Sequence, residues 1–186
     1  MLWLWIALGV VAILLVLVVV GYNRLVRLRN EVATGWANIE VQLERRGDLI
    51  PNLVETVKGY AAHERGVFEE VTRARAALQQ AGGPAEAGEA NDLLGAALGR
   101  LFAVAEAYPE LRASENFLRL QDELTDTEDK ISAARRYYNS TVQHYNTGIQ
   151  SLPWVLVARL LGFHESEFFS AEGDTATPQV SFTPAA

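Results

Sequence analysis

"FLRLQDELTDTEDKISAARRYYNSTVQHYNTGI", residues 117–149, sets Phe117, Leu120, Leu124, Thr127, Ile131, Ala134, Tyr138, Thr141 and Tyr145 at alternating steps of three and four, with Ile149 close behind. A strand repeats every two residues and cannot carry this rhythm, whereas a helix packed on neighbouring helices needs it. Sustained through successive heptads, the rhythm is the seam of a coiled-coil-like bundle. The rest of this helix is strongly acidic, with Glu115, Asp122, Glu123, Asp126, Glu128 and Asp129 directed outward.

A second stripe starts at Leu25 and continues through Leu28, Val32, Trp36, Ile39 and Leu43. It resumes as Ile50, Leu53, Val57, Tyr60, Val67, Val71, Ala74 and Leu78, predicting one long helix over 22–80. Such a helix would extend almost 90 Å at ~1.5 Å per residue, and alone it would leave its stripe in water. Arg45, Arg46, Lys58 and Arg65 lie along it and suit the acidic helix, although each exposed pair adds only ~0.2–1 kcal/mol. Burial of the seam has to dominate.

Pro51 interrupts this helix in sequence. It has no N–H, and its ring crowds the carbonyl of residue 47, which is Gly47. Because the apolar rhythm keeps its phase across the proline, Gly47 and Pro51 predict a kink rather than an end. Asp48 and Asn52 are the side chains expected to satisfy the freed backbone groups.

Upstream, Leu2 to Val20 is a run of nineteen residues without a charge, close to the ~20 needed to cross a bilayer as a helix. Trp3 and Trp5 stand where one aromatic belt would lie, and Tyr22 marks the other interface. The run is too long for a signal-peptide core and has no basic region before it, so a retained anchor is expected. Arg24, Arg27 and Arg29 come immediately after it, which predicts an N-terminus outside and a cytoplasmic body.

Three shorter elements complete the pattern. "QAGGPAEAGEAN" (80–91) reads as a loop. A helix from Asn91 to about Ala107 comes next, with Leu93, Leu94, Leu98, Leu101, Phe102 and Ala105 inward. "SLPWVLVARLLGF" (151–163) reads as a fourth helix, capped by Ser151, with Pro153 in its first turn and Gly162 at its end. Apolar on most faces, it suits either the bundle interior or the membrane surface, where Trp154, Leu156 and Leu160 would join Trp3 and Trp5 in contact with lipid. The fold is therefore expected to be all-α: an N-terminal transmembrane helix followed by a long kinked helix in an antiparallel four-helix-type bundle. Its parts are an anchor at 1–23, a bundle at 24–169 and a disordered tail at 170–186.

Chemistry finds few footholds. A net charge of -7 gives no basic footprint for nucleic acid. There is no cysteine, and only His63, His144 and His164 could serve as imidazole ligands or bases. His63-Glu64 begins like H-E-x-x-H, but Val67 stands where the second histidine must be. Glu64 near the seam suggests instead a salt bridge with Arg46 or Arg135. No Glu-x-x-His, G-x-S-x-G or phosphate-cradling G-K-[ST] occurs. No catalytic, cofactor-binding or metal-ligating residue is assigned. Tyr138-Asn139 and Tyr145-Asn146, one heptad apart, suit either register within the seam or a recognition surface.

Long segments carry a family resemblance: "VQLERRGDLIPNLVETVKGYAAHE" (41–64), "AEAYPELRASENFLRLQDELTDTEDKISAARRYYNSTVQHYN" (105–146) and "GFHESEFF" (162–169). From Tyr22 to about Phe169 the chain resembles the LemA family. It departs from the family pattern slightly, at Gly47 and at Leu152-Pro153, where Phe-Pro is more usual. The resemblance implies one N-terminal transmembrane helix and a four-helix-type domain, with no established activity or cofactor. It also implies varied settings, since family members are associated with a membrane metalloprotease, with sensor-kinase signalling and with magnetosome membranes. Together these readings lead to the expectation of a non-enzymatic scaffold or adaptor at the bacterial inner membrane, with the lipid bilayer, membrane proteins or further copies of itself as partners. The alternative expectation is a protein that organises or remodels the membrane through its fourth helix.

Overall fold

The computed structural model describes residues 2–169, and the tail expected to be disordered lies outside them. Among the described residues there is no strand. The helices are α1 (Leu2–Lys58), α2 (Arg65–Gln80), α3 (Pro84–Ala105), α4 (Pro109–Arg112) and α5 (Glu115–Gln150), followed by a 3-10 turn at Trp154–Leu156. The chain is all-α, as its periodicity requires. Its described residues divide into two compact units, 2–42 with 129–168, and 43–128 with Phe169.

In the first unit, the stripe of α1 (Leu25, Val32, Ile39) is buried, and so is the seam of α5 (Ile131, Tyr138, Val142, Tyr145, Ile149). Leu25 and Leu28 lie over Gly148, while Gly35 lies over Tyr138 and Thr141. Moving ten residues up α1 thus moves about as far down α5, and the pair is antiparallel. Trp36 adds a tilted ring contact to Tyr138 at 5.8 Å.

In the second unit, the end of α1 meets α2, α3 and the beginning of α5. Lys58 lies over Phe68, and Arg75 reaches Gly47, so α2 runs back along α1. Glu70 of α2 pairs with Arg100 of α3, and Phe102 meets Phe117 at 6.1 Å, continuing the up-and-down order. Leu53, Val57, Val71, Leu94, Leu101 and Leu111 have essentially no exposure. Each buried side chain of this size contributes ~1.5–3 kcal/mol.

Three boundaries differ from the periodicity. The helix expected over 22–80 ends at Lys58, and α2 restarts at Arg65. Unbroken, it would leave Phe68, Val71, Ala74 and Leu78 with nothing from their own element to cover them; a reversal at Gly59 buries all four. Ala61 N–H closes the last turn on the Val57 carbonyl (2.9 Å). Second, the loop expected at 80–91 is mostly helix. Pro84 occupies the first turn, where its missing N–H costs nothing, and Gly82 N–H donates to Glu86 Oε2 (2.8 Å). Of the residues expected inward, Leu94, Leu98, Leu101 and Ala105 are buried together with Asn91, whereas Leu93, one residue and about 100° round the helix from Leu94, is 60% exposed.

Third, the fourth helix over 151–163 does not form. Apart from the 3-10 turn at Trp154–Leu156, the segment is a run of turns whose bonds never propagate, and Gly162 leaves it at φ 78°. A sequence apolar on most faces, with Arg159 its one charge, provides little phase to orient a helix. The turns instead return the chain, so that Phe163 is buried and residues 163–168 run back along α5.

Candidate membrane-facing and interaction site

In the first unit, the apolar start of α1 has its side chains exposed from Leu2 to Ile13 and from Leu15 to Val20, and Trp3 and Trp5 are among the most open. The helix is long and apolar enough to cross a membrane. Gly21, next in line, is buried because the Trp154 indole fills the space where a side chain would stand, so that a Cβ there would overlap the ring. Tyr22 meets Phe163 edge-on at 5.5 Å, and the Arg29 guanidinium lies 5.4 Å from the same ring. The 151–162 segment is thereby fastened to the point where the apolar run stops. Leu152, Val155, Leu156 and Leu160 remain exposed, Leu160 at 86%.

The Tyr-Asn pairs hold the chain just beyond this segment. Tyr138 donates its hydroxyl to the Glu167 carbonyl (2.8 Å). Asn146 holds Ser166 twice, donating Nδ2–H to its carbonyl and accepting its N–H at Oδ1, both 2.9 Å. Gln150 Nε2 donates to Glu165 Oε1 (3.0 Å). Tyr138 and Tyr145 are buried, and Asn139 and Asn146 half-buried. Burial, with the Glu167 carboxylate, pushes the Tyr138 hydroxyl up to about 12. Burial also raises the Tyr145 hydroxyl, against the opposing effects of Arg29 and a backbone bond at His164. Tyr138, Asn146 and Gln150 thus direct their hydrogen bonds to this chain's own 163–168 segment.

The second unit buries a cation. Arg46 has 5% of its surface exposed, with Nη1 2.5 Å from both Asn91 Oδ1 and Glu128 Oε2. Burial lowers its pKa, while Glu128 and then Asp92 pull the other way. Its partners are therefore on α3 and α5 rather than at Glu64, the pairing expected from sequence. The signal was present: Arg46 falls in phase with Ile39, Leu43 and Ile50, a seam position where a charge needs partners. His63 is exposed in the turn between α1 and α2 and Glu64 is half-buried. Among the described residues no group of three or more His, Asp or Glu side chains is placed to hold a metal ion.

Gly47 and Pro51 lie within α1, which passes through the proline without ending. The Gly47 carbonyl, deprived of its donor at residue 51, accepts Arg75 Nε–H from α2 at 2.7 Å. Asp48 and Asn52, expected in that role, are not the donors to this carbonyl. Nearby, Lys58, Arg65 and Arg73 surround Phe68 and Glu69 in an open cleft of about 610 Å³, with Lys58 Nζ 5.8 Å from the phenyl centre.

An apolar helix of membrane-spanning length, continued into packed helices, defines a membrane-associated α-helical protein. The sequence profile of the LemA family matches residues 35–182, and the chain belongs to that family. It is 31% identical to Magnetosome protein MamQ of Magnetospirillum gryphiswaldense, over 86% of this chain and 70% of that protein. Magnetosome protein MamQ 2 of Paramagnetospirillum magneticum matches to the same extent. Protein LemA of Metamycoplasma hominis is 28% identical over 80% of this chain and 68% of its own.

Proposed function

We propose that this chain is a non-enzymatic scaffold or adaptor that works at the bacterial inner membrane by protein–protein contact or self-assembly. The observation that carries the reading is the continuity of α1, which leaves the apolar run and enters the packed helices without a break. A partner bound to those helices is thereby held at the bilayer. Relatives named as magnetosome proteins support a place in a larger assembly. The arginines at 24, 27 and 29 favour a cytoplasmic body. The partner class is a membrane protein, of which a membrane metalloprotease is one member suggested by family association, or a further copy of this chain.

Crosslinking in intact membranes tests this reading. The expected result is a reproducible partner or a ladder of multiples of the chain. A monomer with no recurring partner overturns it. A second reading, membrane organisation, is favoured by the apolar side chains that residues 152–160 leave uncovered. Vesicle shape after reconstitution is its measurement, and unchanged vesicles argue against it.

A further inference from the structure

We infer that residues 151–161 form an interfacial foot, a second contact with the same bilayer that α1 crosses. The inference rests on the reading of α1 as a membrane span and goes beyond the scaffold role. Leu152, Val155, Leu156, Leu160 and Leu161 are exposed within eleven residues, a concentration of apolar surface that a soluble face seldom carries.

Three features select lipid rather than protein as the occupant. The Trp154 ring sits on Gly21, immediately after the uncharged run Leu2–Val20, so the patch begins where the span ends. Trp at that level suits the zone between headgroups and acyl chains, where an indole has an apolar body and a polar edge. Arg159 is exposed among the leucines and can extend its head to lipid phosphates while its stem stays apolar.

The foot is also held rigidly enough to act as one. The Tyr22–Phe163 contact, the Arg29 cation over Phe163 and the paired Asn146–Ser166 bonds fasten the end of the segment to α1 and α5. A single span leaves a protein free to rotate about its own axis. Adding a foot beside the span removes that freedom and sets which faces of this unit look along the membrane and which look away.

The test uses the full chain, whose lack of cysteine makes single-site labelling clean. Variants L156C, L160C, V16C and L93C, each carrying an environment-sensitive fluorophore, are reconstituted at low protein-to-lipid ratio. The vesicles contain phosphatidylcholine and phosphatidylglycerol, with nitroxide lipids as quenchers. Labels at 156 and 160 are expected to be quenched by shallow nitroxides several-fold more than the label at 93, an exposed leucine of the other unit. If they match the label at 93 while the label at 16 is quenched by deep nitroxides, the foot fails and the span stands. If the label at 16 is unquenched too, the span reading fails, and the foot with it. Protection at 156 and 160 without lipid quenching, reversed when more lipid dilutes the protein within the bilayer, identifies a second copy as occupant and overturns the proposal. All four positions are exposed, and helical circular dichroism equal to the parent's is expected of each variant.

Discussion

The two units bury the stripe of α1 by opposite means. In the first, small residues do it: Gly35 and Gly148 bring α1 and α5 close, and Tyr138 fills the seam with its hydroxyl tied to the Glu167 carbonyl. In the second, the same stripe delivers Arg46 into the interior, where Asn91, Asp92 and Glu128 surround it. A neutral seam needs shape, and each contact is worth its own area. A buried cation needs partners, and the loss of any one leaves the others stranded in a low-dielectric interior. The units should therefore differ in how sharply they respond to single substitutions, and in what kind of second change rescues them.

The largest effect is expected at Arg46. Arg46→Ala removes a buried guanidinium stem and orphans the Asn91 amide. Breaking a fully buried pair costs ~3–5 kcal/mol, and the half-exposed Glu128 reduces that toward ~3 kcal/mol. Thermal unfolding of the full chain in detergent, followed by circular dichroism, measures it. The sharper form is the triple replacement Arg46→Met, Asn91→Leu, Glu128→Gln. Substituting apolar groups for a buried ionic set is often neutral or better, so this variant should recover most of the loss. If the triple variant is as unstable as Arg46→Ala, the partners are not what stabilises the arginine.

The neutral seam responds to pH instead. The hydroxyl of Tyr138 is pushed up to about 12, while in an unfolded chain a tyrosine ionises near ~10. The folded state therefore holds this proton more tightly. The contribution is complete below pH ~10 and drains away as pH rises through about 12, since there the unfolded chain binds fewer protons than the folded one. A shift of this size corresponds to ~2–3 kcal/mol across the window. Tyr138→Phe should lose ~1 kcal/mol at neutral pH, the worth of one hydrogen bond, and then show a shallower alkaline decline than the parent. Parallel declines would mean that ionisation of Tyr138 is not what weakens the fold.

A third comparison concerns the carbonyl of Gly47. Arg75→Ala leaves it without its donor and should cost ~1–2 kcal/mol. Pro51→Ala restores an N–H at the position that normally serves residue 47, and it removes a residue that costs a helix interior ~3 kcal/mol. In the Pro51→Ala background Arg75→Ala should cost clearly less than in the parent. A double-mutant cycle gives the coupling, and a value near zero breaks the link between the proline and the arginine.

How much of this could be read from the residues depends on the range of each interaction. The α5 seam was legible because burial repeats every three to four residues within one helix; nine of the ten positions from Phe117 to Ile149 are buried, with Ala134 half-buried. Arg75 and Gly47 are twenty-eight residues apart and meet only because α2 turns back on α1, so no local signal announces the bond. Residues 151–163 misled because uniform apolarity favours helix, interface and core equally. Their turns are settled by tertiary contacts, Trp154 on Gly21 and Phe163 on Tyr22. Gly82 to Glu86 misled in the other direction: glycine and proline signal a loop, yet Pro84 and Glu86 there begin a helix. The Tyr-Asn repeat was visible, but its partner, the returning segment 163–168, could be found only once the chain was folded.

The smallest effect separates space from flexibility at the proline. Gly47 was expected to give the backbone room beside Pro51, yet a Cβ built there meets nothing within 4 Å, and its φ is not positive. Gly47→Ala should therefore stabilise the protein by ~0.5–1 kcal/mol, the helix-interior difference between the two residues. Gly148→Ala is the contrasting substitution in the first unit, since its Cβ would stand 3.2 Å from Leu28 Cδ1 and the leucine must yield. Opposite signs for the two in the same thermal measurement would show that close helix approach, rather than backbone freedom, is what glycine provides along α1 and α5. A loss of stability in Gly47→Ala would instead mean that bending at Pro51 needs the glycine after all.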